Sequence, residues 1–391
     1  MHDKEIHTLL NQEIQRQDHV VNLIASENYV SKDVLVALGS VFTNKYAEGY
    51  PSARYYGGNT IIDQLEKLTQ QRALALFGLS ADEWSVNVQA LSGSPANLAV
   101  YTALVPLGQS IMGLSLDQGG HLTHGHKASV TGKWWKQIPY TLNKETELLD
   151  YDAIATSATA EKPAMIVAGY TAYSGTIDWA ALRTIADVSG ALLHADVSHT
   201  AGLIAGGVQE SPFAYADTVV MTTHKTLRGP RGALIFSKKQ FSDKIDKAVF
   251  PGLQGGPHMN TIAGIAVALH EAQQSSFKEY AAHVIQNAQT LARVLQDSGW
   301  RIISGGTDSH LFLVDTWSNG ISGKDASDAL EQAGIIVNKN TIPFDERSPV
   351  DPSGIRIGTA AETTRGKTTA DMIEIAQKID SILRSSTLTV K

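Results

Sequence analysis

The sequence contains no cysteine among its 391 residues, so disulfides, thiolate metal sites and a cysteine nucleophile are excluded. Charged residues are only 18% of the chain, and acidic residues outnumber basic ones to give a formal net charge of −7. Nucleic-acid binding needs a basic face, and a membrane span needs about 18 consecutive apolar residues; the sequence offers neither. The N-terminal segment lacks the apolar core of a secretory signal and predicts a short amphipathic helix packed on another element. We therefore expect a cytoplasmic protein that binds neither nucleic acid nor membranes.

The hydrophobic pattern from residue 60 onward alternates between helical spacing and short apolar strands. This alternation predicts an α/β fold with a mostly parallel sheet and helices on both faces. Glycines and charged residues separate the segments. Strands are predicted at 84–90, 110–115, 164–168, 191–196, 218–223 and 232–237, with helices that include 60–77 and 178–188.

The pattern changes after about residue 258 and predicts a smaller α+β domain. Residues 22–58 are polar, aromatic and glycine-rich, which is typical of an ordered but irregular arm with a function. We expect an N-terminal arm at 1–57, a large domain at 58–262 and a small domain at 263–391. In the C-terminal part, we predict two helices within 259–298, strands near 301–304, 309–315, 335–338 and 354–359, and helices at 324–333 and 368–384.

Two polar residues stand where apolar strands end. Lys225 follows the strand ending in Thr222–Thr223, and Asp196 ends the strand 29 positions earlier. Open α/β sheets bind ligands at this edge. A lysine amine there can form a Schiff base with an aldehyde, and a carboxylate can hold the proton of a pyridine ring, so the pair favours pyridoxal phosphate. Read singly, Lys225 fits a surface turn and Asp196 a helix cap.

Several segments suit anions. Ser92, Gly93 and Ser94 lie between a predicted strand and a helix, where backbone amides bind phosphate. The glycine-rich run 251–257 can present amides in the same way. Arg356, in a strand-like run, and Arg231 can each grip an anion, or form ordinary surface ion pairs.

The segment 119–126 holds His121, His124 and His126, which could bind a metal, although no neighbouring carboxylate motif supports this. The alternative is that one histidine stacks on a planar cofactor while the others form hydrogen bonds. In the arm, Glu48 lies among tyrosines and glycines and is a candidate general acid or base; the other interpretation is an arm contact without chemistry.

Taken together, these segments resemble the serine hydroxymethyltransferase family of fold-type I pyridoxal-phosphate enzymes. The resemblance runs from about residue 20 to about 380. It rests on the strings LIASEN, NKYAEGYPSARYYGG, GGHLTHG, AYSGTIDW, THKTLRGPRG, LQGGPH, SGGTDSHLFLVD and SGIRIGT. It implies a large domain with a seven-stranded sheet, an α+β small domain and an arm that reaches a partner's site.

The resemblance also implies the roles of individual residues. Lys225 would hold pyridoxal 5'-phosphate covalently, Asp196 would pair with its ring nitrogen, and no metal is expected. The remaining cofactor contacts would be Ser92, Gly93, Ser94, His121 stacked on the ring, Ser174, His199 near its hydroxyl, His224 and, from a neighbouring subunit, Gly256. The substrate contacts would be Ser26, Tyr46, Tyr56 and Arg356, with Lys225, Glu48, Asp196, His199 and Tyr56 as the catalytic set.

The implied reaction moves the hydroxymethyl carbon of serine to tetrahydrofolate and leaves glycine. Tetrahydrofolate would contact Glu48, Tyr55, Leu116, Gly120, Leu122 and Asn340. We expect a homodimer with shared active sites, and a tetramer is left open. The alternatives are a folate-independent aldolase acting on β-hydroxy or α-methyl amino acids, a metal-dependent hydrolase, and a binding protein without activity.

Overall fold

A computed structural model describes residues 2–389. The helices in this part of the chain are α1 (Lys4–His19), α2 (Lys32–Leu38), α3 (Thr60–Leu76), α4 (Gly93–Leu104), α5 (Val130–Trp134), α6 (Tyr151–Glu161), α7 (Trp179–Ser189), α8 (Ala201–Ala205), α9 (Ser242–Lys247), α10 (Met259–Ala272), α11 (Ser275–Asp297), α12 (Gly323–Gln332), α13 (Ala360–Thr364) and α14 (Thr369–Thr389). The strands are β1 (Val21–Asn22), β2 (Gly49–Tyr50), β3 (Ala53–Arg54), β4 (Trp84–Asn87), β5 (Ser110–Leu114), β6 (Lys136–Tyr140), β7 (Met165–Gly169), β8 (Leu192–Asp196), β9 (Thr218–Thr222), β10 (Ala233–Lys238), β11 (Arg301–Ile302), β12 (Leu311–Asp315), β13 (Ile335–Ile336), β14 (Asn338–Asn340) and β15 (Gly354–Gly358).

The central sheet has seven strands in the order β4-β10-β9-β8-β7-β5-β6. Strands β9, β8, β7, β5 and β6 are parallel, whereas β10 runs antiparallel to both of its neighbours. The middle strands β7 and β9 are buried along their whole length, as their continuous apolar sequences require in a sheet covered on both faces. The predicted α/β fold with a mostly parallel seven-stranded sheet is confirmed.

Three differences from the predicted elements have a clear physical reason. Strand β6 was not predicted, because Lys136 and Pro139 obscure its pattern; an edge strand tolerates both residues. The strand expected to reach residue 90 ends at Asn87, whose side-chain oxygen accepts the Gln89 amide and turns the chain. The segment 335–338 divides into β13 and β14, which pair with different strands.

The C-terminal part builds its own antiparallel sheet in the order β11-β12-β15-β14. Its core includes Trp300, Phe312 and Met372 and is separate from the larger core beside the central sheet. Helix α11 joins the two, since Phe277 packs in the large core and Leu291 in the small one. We therefore propose that the large domain extends into α11 rather than ending at residue 262.

The arm contains one docked and one undocked segment. Helix α1 forms as predicted, with Asp3 capping its first amides, but it buries no residue. Its last turn accepts a hydrogen bond from Arg365 at the Asp18 carbonyl while its apolar residues remain exposed, so the prediction that it packs on another element is met only at this end. By contrast, β1 pairs with β13, and Asn28 donates hydrogen bonds to the Lys225 carbonyl and the Tyr280 hydroxyl. No helix in the described residues is both long and apolar enough to cross a membrane.

Candidate active site

A cavity of about 290 Å³ lies where β8 and β9 end and α4 begins, as expected for an open α/β sheet. We call it the Lys225 cavity. A larger space of about 600 Å³ shares Tyr170 with it but has no basic residue in its lining, so it lacks the means to neutralise a phosphate. The lining of the Lys225 cavity is Ser26, Glu27, Ser92, Gly93, Ser94, His121, Tyr170, Thr171, Asp196, Ser198, His199, Thr222, His224, Lys225 and Arg231.

Lys225 is placed by a tight loop that follows β9. The Thr223 hydroxyl donates to the carbonyl of Pro230 at 2.5 Å, and the Thr226 hydroxyl donates to the carbonyl of His199 at 2.8 Å. Burial lowers the pKa of Lys225 to about 8; Arg356 and Arg231 act in the same direction, and Asp196 opposes them. The amine is therefore far more often neutral at physiological pH than an exposed lysine, which is what a nucleophilic amine requires.

Asp196 accepts three hydrogen bonds, two from residues distant in sequence and one from a chain neighbour. Its Oδ2 accepts from Asn97 Nδ2 at 2.7 Å and from His124 Nε2 at 3.1 Å, and its Oδ1 accepts from the Ser198 amide at 3.1 Å. Burial alone would raise the pKa of this carboxyl. The hydrogen bond and charge of His124, the charge of His121 and the Ser198 bond outweigh burial and hold the pKa well below its usual range.

Of the three clustered histidines, His124 bonds this carboxylate and His121 lies close to both. Ligand atoms of His121, His124 and Asp196 lie within 4.8 Å of one another, and His126 is outside this group. The His121 amide donates to His124 Nδ1 at 3.2 Å, so both ring nitrogens of His124 are occupied by hydrogen bonds. The arrangement favours a hydrogen-bonded network over a metal site.

His199 lines the cavity and pairs with His310 of the C-terminal part. Their rings stack at 5.3 Å between centroids, and His199 Nδ1 lies 3.2 Å from His310 Nε2. Burial, together with the charge of Lys225, holds the pKa of His199 well below its ordinary value, and burial lowers that of His310 to about 3. Both imidazoles are neutral near pH 7, so this pair can accept and donate hydrogen bonds without adding charge.

The start of α4 matches the requirements of a phosphate. Ser92, Gly93 and Ser94 turn into the helix, and a Cβ on Gly93 would lie 2.7 Å from a methyl of Thr222, so only glycine fits. Arg231 supplies a positive charge, and the buried Nδ1 of His224 has no hydrogen-bond partner among the described residues. Amides at a helix start, one cation and an orphaned polar atom together fit an anionic group of a cofactor.

Arg356, on β15, lies behind Thr171 rather than in the cavity lining. It donates to the Thr171 carbonyl at 2.7 Å and to Asn338 Oδ1 at 3.0 Å. Both acceptors are neutral, and the ion pairs within residues 2–389 do not include this guanidinium. Burial lowers its pKa to about 10, so it stays charged and can receive a carboxylate.

Four expected residues form a second group, which we call the Tyr46 cluster: Tyr46, Glu48, Tyr56 and Gly256. The Tyr46 hydroxyl donates to Glu48 Oε1 at 3.2 Å, and its ring meets Tyr56 edge-on at 4.9 Å. Gly256 lies against the same ring, because a Cβ there would be 3.2 Å from it. None of the four lines the Lys225 cavity of its own chain.

The remaining expected residues lie around these two groups. Ser26 lines the cavity, whereas Ser174 is buried outside that lining, and its hydroxyl has no hydrogen-bond partner among the described residues. Tyr55 is exposed and meets Phe250 edge-on at 5.6 Å. Of the expected folate contacts, Gly120 directly precedes His121 and accepts from the Thr171 hydroxyl at 2.8 Å. The others lie outside the cavity lining: Leu116, Leu122 and Asn340.

Sequence reasoning missed Asn97 and His310 and gave His124 no role beside Asp196. Asn97 and His310 are fully buried polar residues, each one hydrogen bond from a lining residue. The signal for Asn97 was its place in the first turns of a helix that follows the anion-binding turn. No local signal pointed to His310, which comes from another domain.

Comparisons with known proteins show the family of the chain. The family model for serine hydroxymethyltransferase matches residues 1–379. A serine hydroxymethyltransferase of Desulfotalea psychrophila is 52% identical over 383 residues, which cover 98% of this chain and 89% of that protein. The Sorangium cellulosum serine hydroxymethyltransferase is also 52% identical, with 98% and 90% covered, and that of Acidothermus cellulolyticus is 51% identical, with 97% and 88% covered. The chain belongs to the serine hydroxymethyltransferase family.

Proposed function

We propose that this protein transfers the hydroxymethyl carbon of serine reversibly to tetrahydrofolate, using pyridoxal phosphate held on Lys225. One observation carries the proposal: a buried lysine with a lowered pKa lies in a cavity whose lining also includes an aspartate fixed as a hydrogen-bond acceptor. An amine nucleophile and an ionised carboxylate in one cavity are what an aldehyde-bearing pyridine ring needs.

The cofactor residues divide by the part of the molecule that they would hold. Asp196 would keep the proton on the ring nitrogen, His121 would lie along the ring, and the start of α4 with Arg231 would receive the phosphate. When bound, pyridoxal phosphate supplies an electron-withdrawing ring that stabilises negative charge on the amino-acid α-carbon. The protein itself supplies binding, orientation and proton control.

The substrate carboxylate would be gripped by Arg356, which now donates only to neutral oxygens. Such a guanidinium gains more from a carboxylate than from an amide carbonyl, because both partners are charged. Ser26, at the cavity wall, would support the same group. Holding the carboxylate fixes which bond of the α-carbon faces the ring, and so directs the chemistry to the hydroxymethyl group.

Glu48 would move a proton on the hydroxymethyl oxygen, with Tyr46 and Tyr56 beside it. In one chain these groups lie outside the Lys225 cavity, so we propose a homodimer in which each arm completes its partner's site. Gly256 would approach the partner's phosphate by the same arrangement. Tetrahydrofolate would rest against Tyr55, Leu116, Gly120, Leu122 and Asn340, near the opening of that shared site.

The test is turnover of serine and the visible spectrum of the purified protein, each with and without tetrahydrofolate. We expect a visible absorption band from the lysine-bound cofactor, a change in that band when glycine and tetrahydrofolate are added together, and serine cleavage that depends on the folate. Equal rates with and without folate would replace the proposal by the folate-independent aldolase. A protein that takes up no pyridoxal phosphate would overturn both.

A further inference from the structure

A chain of buried polar groups continues behind Asp196, away from the cavity. Asn97 donates to Asp196, His194 Nε2 lies 3.0 Å from Asn97 Oδ1, and His194 Nδ1 lies 2.8 Å from the hydroxyl of Thr218. Asn97, His194 and Thr218 are each completely buried. Nothing in the proposed chemistry uses His194, yet burying an imidazole has a cost that must be offset by its hydrogen bonds.

The fold places these groups with little freedom. His194 and Asp196 are two residues apart on β8, so both side chains point to the face that α4 covers. His194 is also the register partner of Thr218 on β9. The ring of Tyr101, one turn beyond Asn97 on α4, meets the His194 ring edge-on at 5.6 Å and fixes its plane.

Two backbone amides, which can only donate, set the direction of the hydrogen bonds nearest to Asp196 in this network. The His121 amide donates to His124 Nδ1, so the proton of a neutral His124 is on Nε2 and points at Asp196. The Ser198 amide donates to the other carboxylate oxygen. Asp196 is therefore surrounded by donors and is an acceptor at both oxygens.

The Asn97 amide must then turn its nitrogen to Asp196. That nitrogen also donates to the Thr123 hydroxyl at 2.9 Å, which leaves Asn97 Oδ1 facing His194. An oxygen needs a donor, so His194 must carry its proton on Nε2 and accept from Thr218 through Nδ1. Burial lowers the pKa of His194 to about 4, which is consistent with a neutral ring.

We propose that His194 is a positioning residue that locks the Asn97 amide, so that Asn97 always donates to Asp196 and keeps this carboxylate ionised for the cofactor ring. If His194 could not donate, Asn97 would lose the partner of its oxygen and could rotate by 180°. The rotated amide would aim its oxygen at the carboxylate and destabilise the ionised form. This role rests on the proposed use of pyridoxal phosphate, but the proton position on His194 does not.

The first experiment is ¹⁵N NMR of histidine-labelled protein, with and without pyridoxal phosphate. The His194 signals are identified as the pair that disappears in His194→Gln. We expect a protonated Nε2 and an accepting Nδ1 in both samples. We also expect Thr218→Val to leave the proton on Nε2, because its position is set from the Asp196 end. A proton on Nδ1 in the unchanged protein, or one that moves there in Thr218→Val, would overturn the proposal.

The second experiment measures the dissociation constant of pyridoxal phosphate in two matched variants. His194→Phe keeps a ring of similar size against Tyr101 but removes the donor, and we expect affinity to fall about tenfold. His194→Gln keeps an N–H at a similar distance, and we expect affinity within about twofold of the unchanged protein.

A purely structural role would lower the melting temperature of both variants and leave the dissociation constant unchanged in both, and this result would overturn the proposal. If His194→Phe does not fold, the NMR result and the affinity of His194→Gln still decide it, because loss of affinity in His194→Gln would also count against the lock. Failure of the unchanged protein to bind pyridoxal phosphate would instead refute the proposed function, while the NMR experiment would still test the proton position.

Discussion

The Lys225 cavity and the Tyr46 cluster hold residues assigned to one reaction, but they are built differently. Around Lys225, the side chains of Asp196 and His199 are buried, and their hydrogen bonds close within the chain. In the Tyr46 cluster, Tyr46 and Tyr56 remain 53% and 48% exposed, and Glu48 has a single donor from Tyr46. The difference indicates that most of the proposed cofactor contacts close within one chain, whereas the proposed proton-transfer group is left for another surface to cover.

The largest expected effect concerns the Lys225 cavity. Lys225→Ala removes the nucleophilic amine, and we expect turnover to fall by at least about a thousandfold. The visible band of the lysine-bound cofactor should disappear as well. Both are measured on the purified variant, with circular dichroism to show that it is folded. Turnover near the unchanged rate would refute the assignment of Lys225.

Glu48→Gln tests the Tyr46 cluster. It keeps the size of the side chain and a hydrogen-bonding oxygen for Tyr46 but removes proton transfer, so we expect serine turnover to fall by about a hundredfold or more. The dissociation constant of pyridoxal phosphate should stay the same, since Glu48 is outside the cavity. Tyr46→Phe is the matched control for loss of the contact alone. Equal losses of turnover and cofactor affinity would contradict the division between the two regions.

Mixing the two variants tests whether the Tyr46 cluster and the Lys225 cavity act together across two chains. If the Tyr46 cluster serves the partner's cavity, a dimer with one Glu48→Gln chain and one Lys225→Ala chain has one intact site. Random exchange of subunits should therefore restore about a quarter of the normal activity. The measurement is turnover after the variants are unfolded and refolded together, against each variant refolded alone. If mixed dimers form but no activity returns, the Lys225 cavity and the Tyr46 cluster do not act together across two chains.

The smallest effect concerns the cost of burying imidazoles. Burial lowers the pKa of His121 and His194 to about 4 and of His224 and His310 to about 3. The unfolded chain binds protons at these histidines near pH 6.5, whereas the folded protein does not. The free energy of unfolding is therefore highest above pH 6.5 and decreases as pH falls toward 4. Each histidine contributes a slope of about 1.4 kcal/mol per pH unit in that range.

The measurement is the free energy of unfolding in urea at pH 7, 6 and 5, in the protein without cofactor. His194→Gln should reduce the slope by one histidine's share, because glutamine does not titrate. His2, which is exposed at the start of the chain, offers the control His2→Gln, which should leave the slope unchanged. Identical slopes in all three proteins would show that His194 is not buried in its neutral form.

The sequence predicted those parts of the site that depend on local pattern. Lys225 and Asp196 stand at the ends of apolar strands, and parallel strands bring such ends to one edge of the sheet. The partners of Asp196 could not be predicted in this way. Asn97 and His124 lie 99 and 72 positions away in sequence, and His310 lies 111 positions from His199. These contacts arise when helices and domains pack, and periodicity carries no information about them.

The fold shows the same division. The central sheet followed from alternating segments, whereas β6 was not predicted. Pro139 and Lys136 are tolerated in an edge strand, but the sequence does not show which strand lies at the edge. Family resemblance supplied Glu48 and Gly256, which no pattern within the chain connects to Lys225. The structure leaves them in a separate cluster, so the roles proposed for them require a second chain.

The segment from β1 to Asn28 connects the small domain to the loop that carries Lys225. It is paired with β13 at one end and bonded to the Lys225 carbonyl at the other. A protease that cuts before residue 20 would therefore release only α1, which buries no residue and is bonded to Arg365 through the Asp18 carbonyl, and would leave these two contacts in place. A cut after Asn28 would separate this segment from the rest of the chain, so we expect the small domain and the loop that carries Lys225 to lose this shared support together.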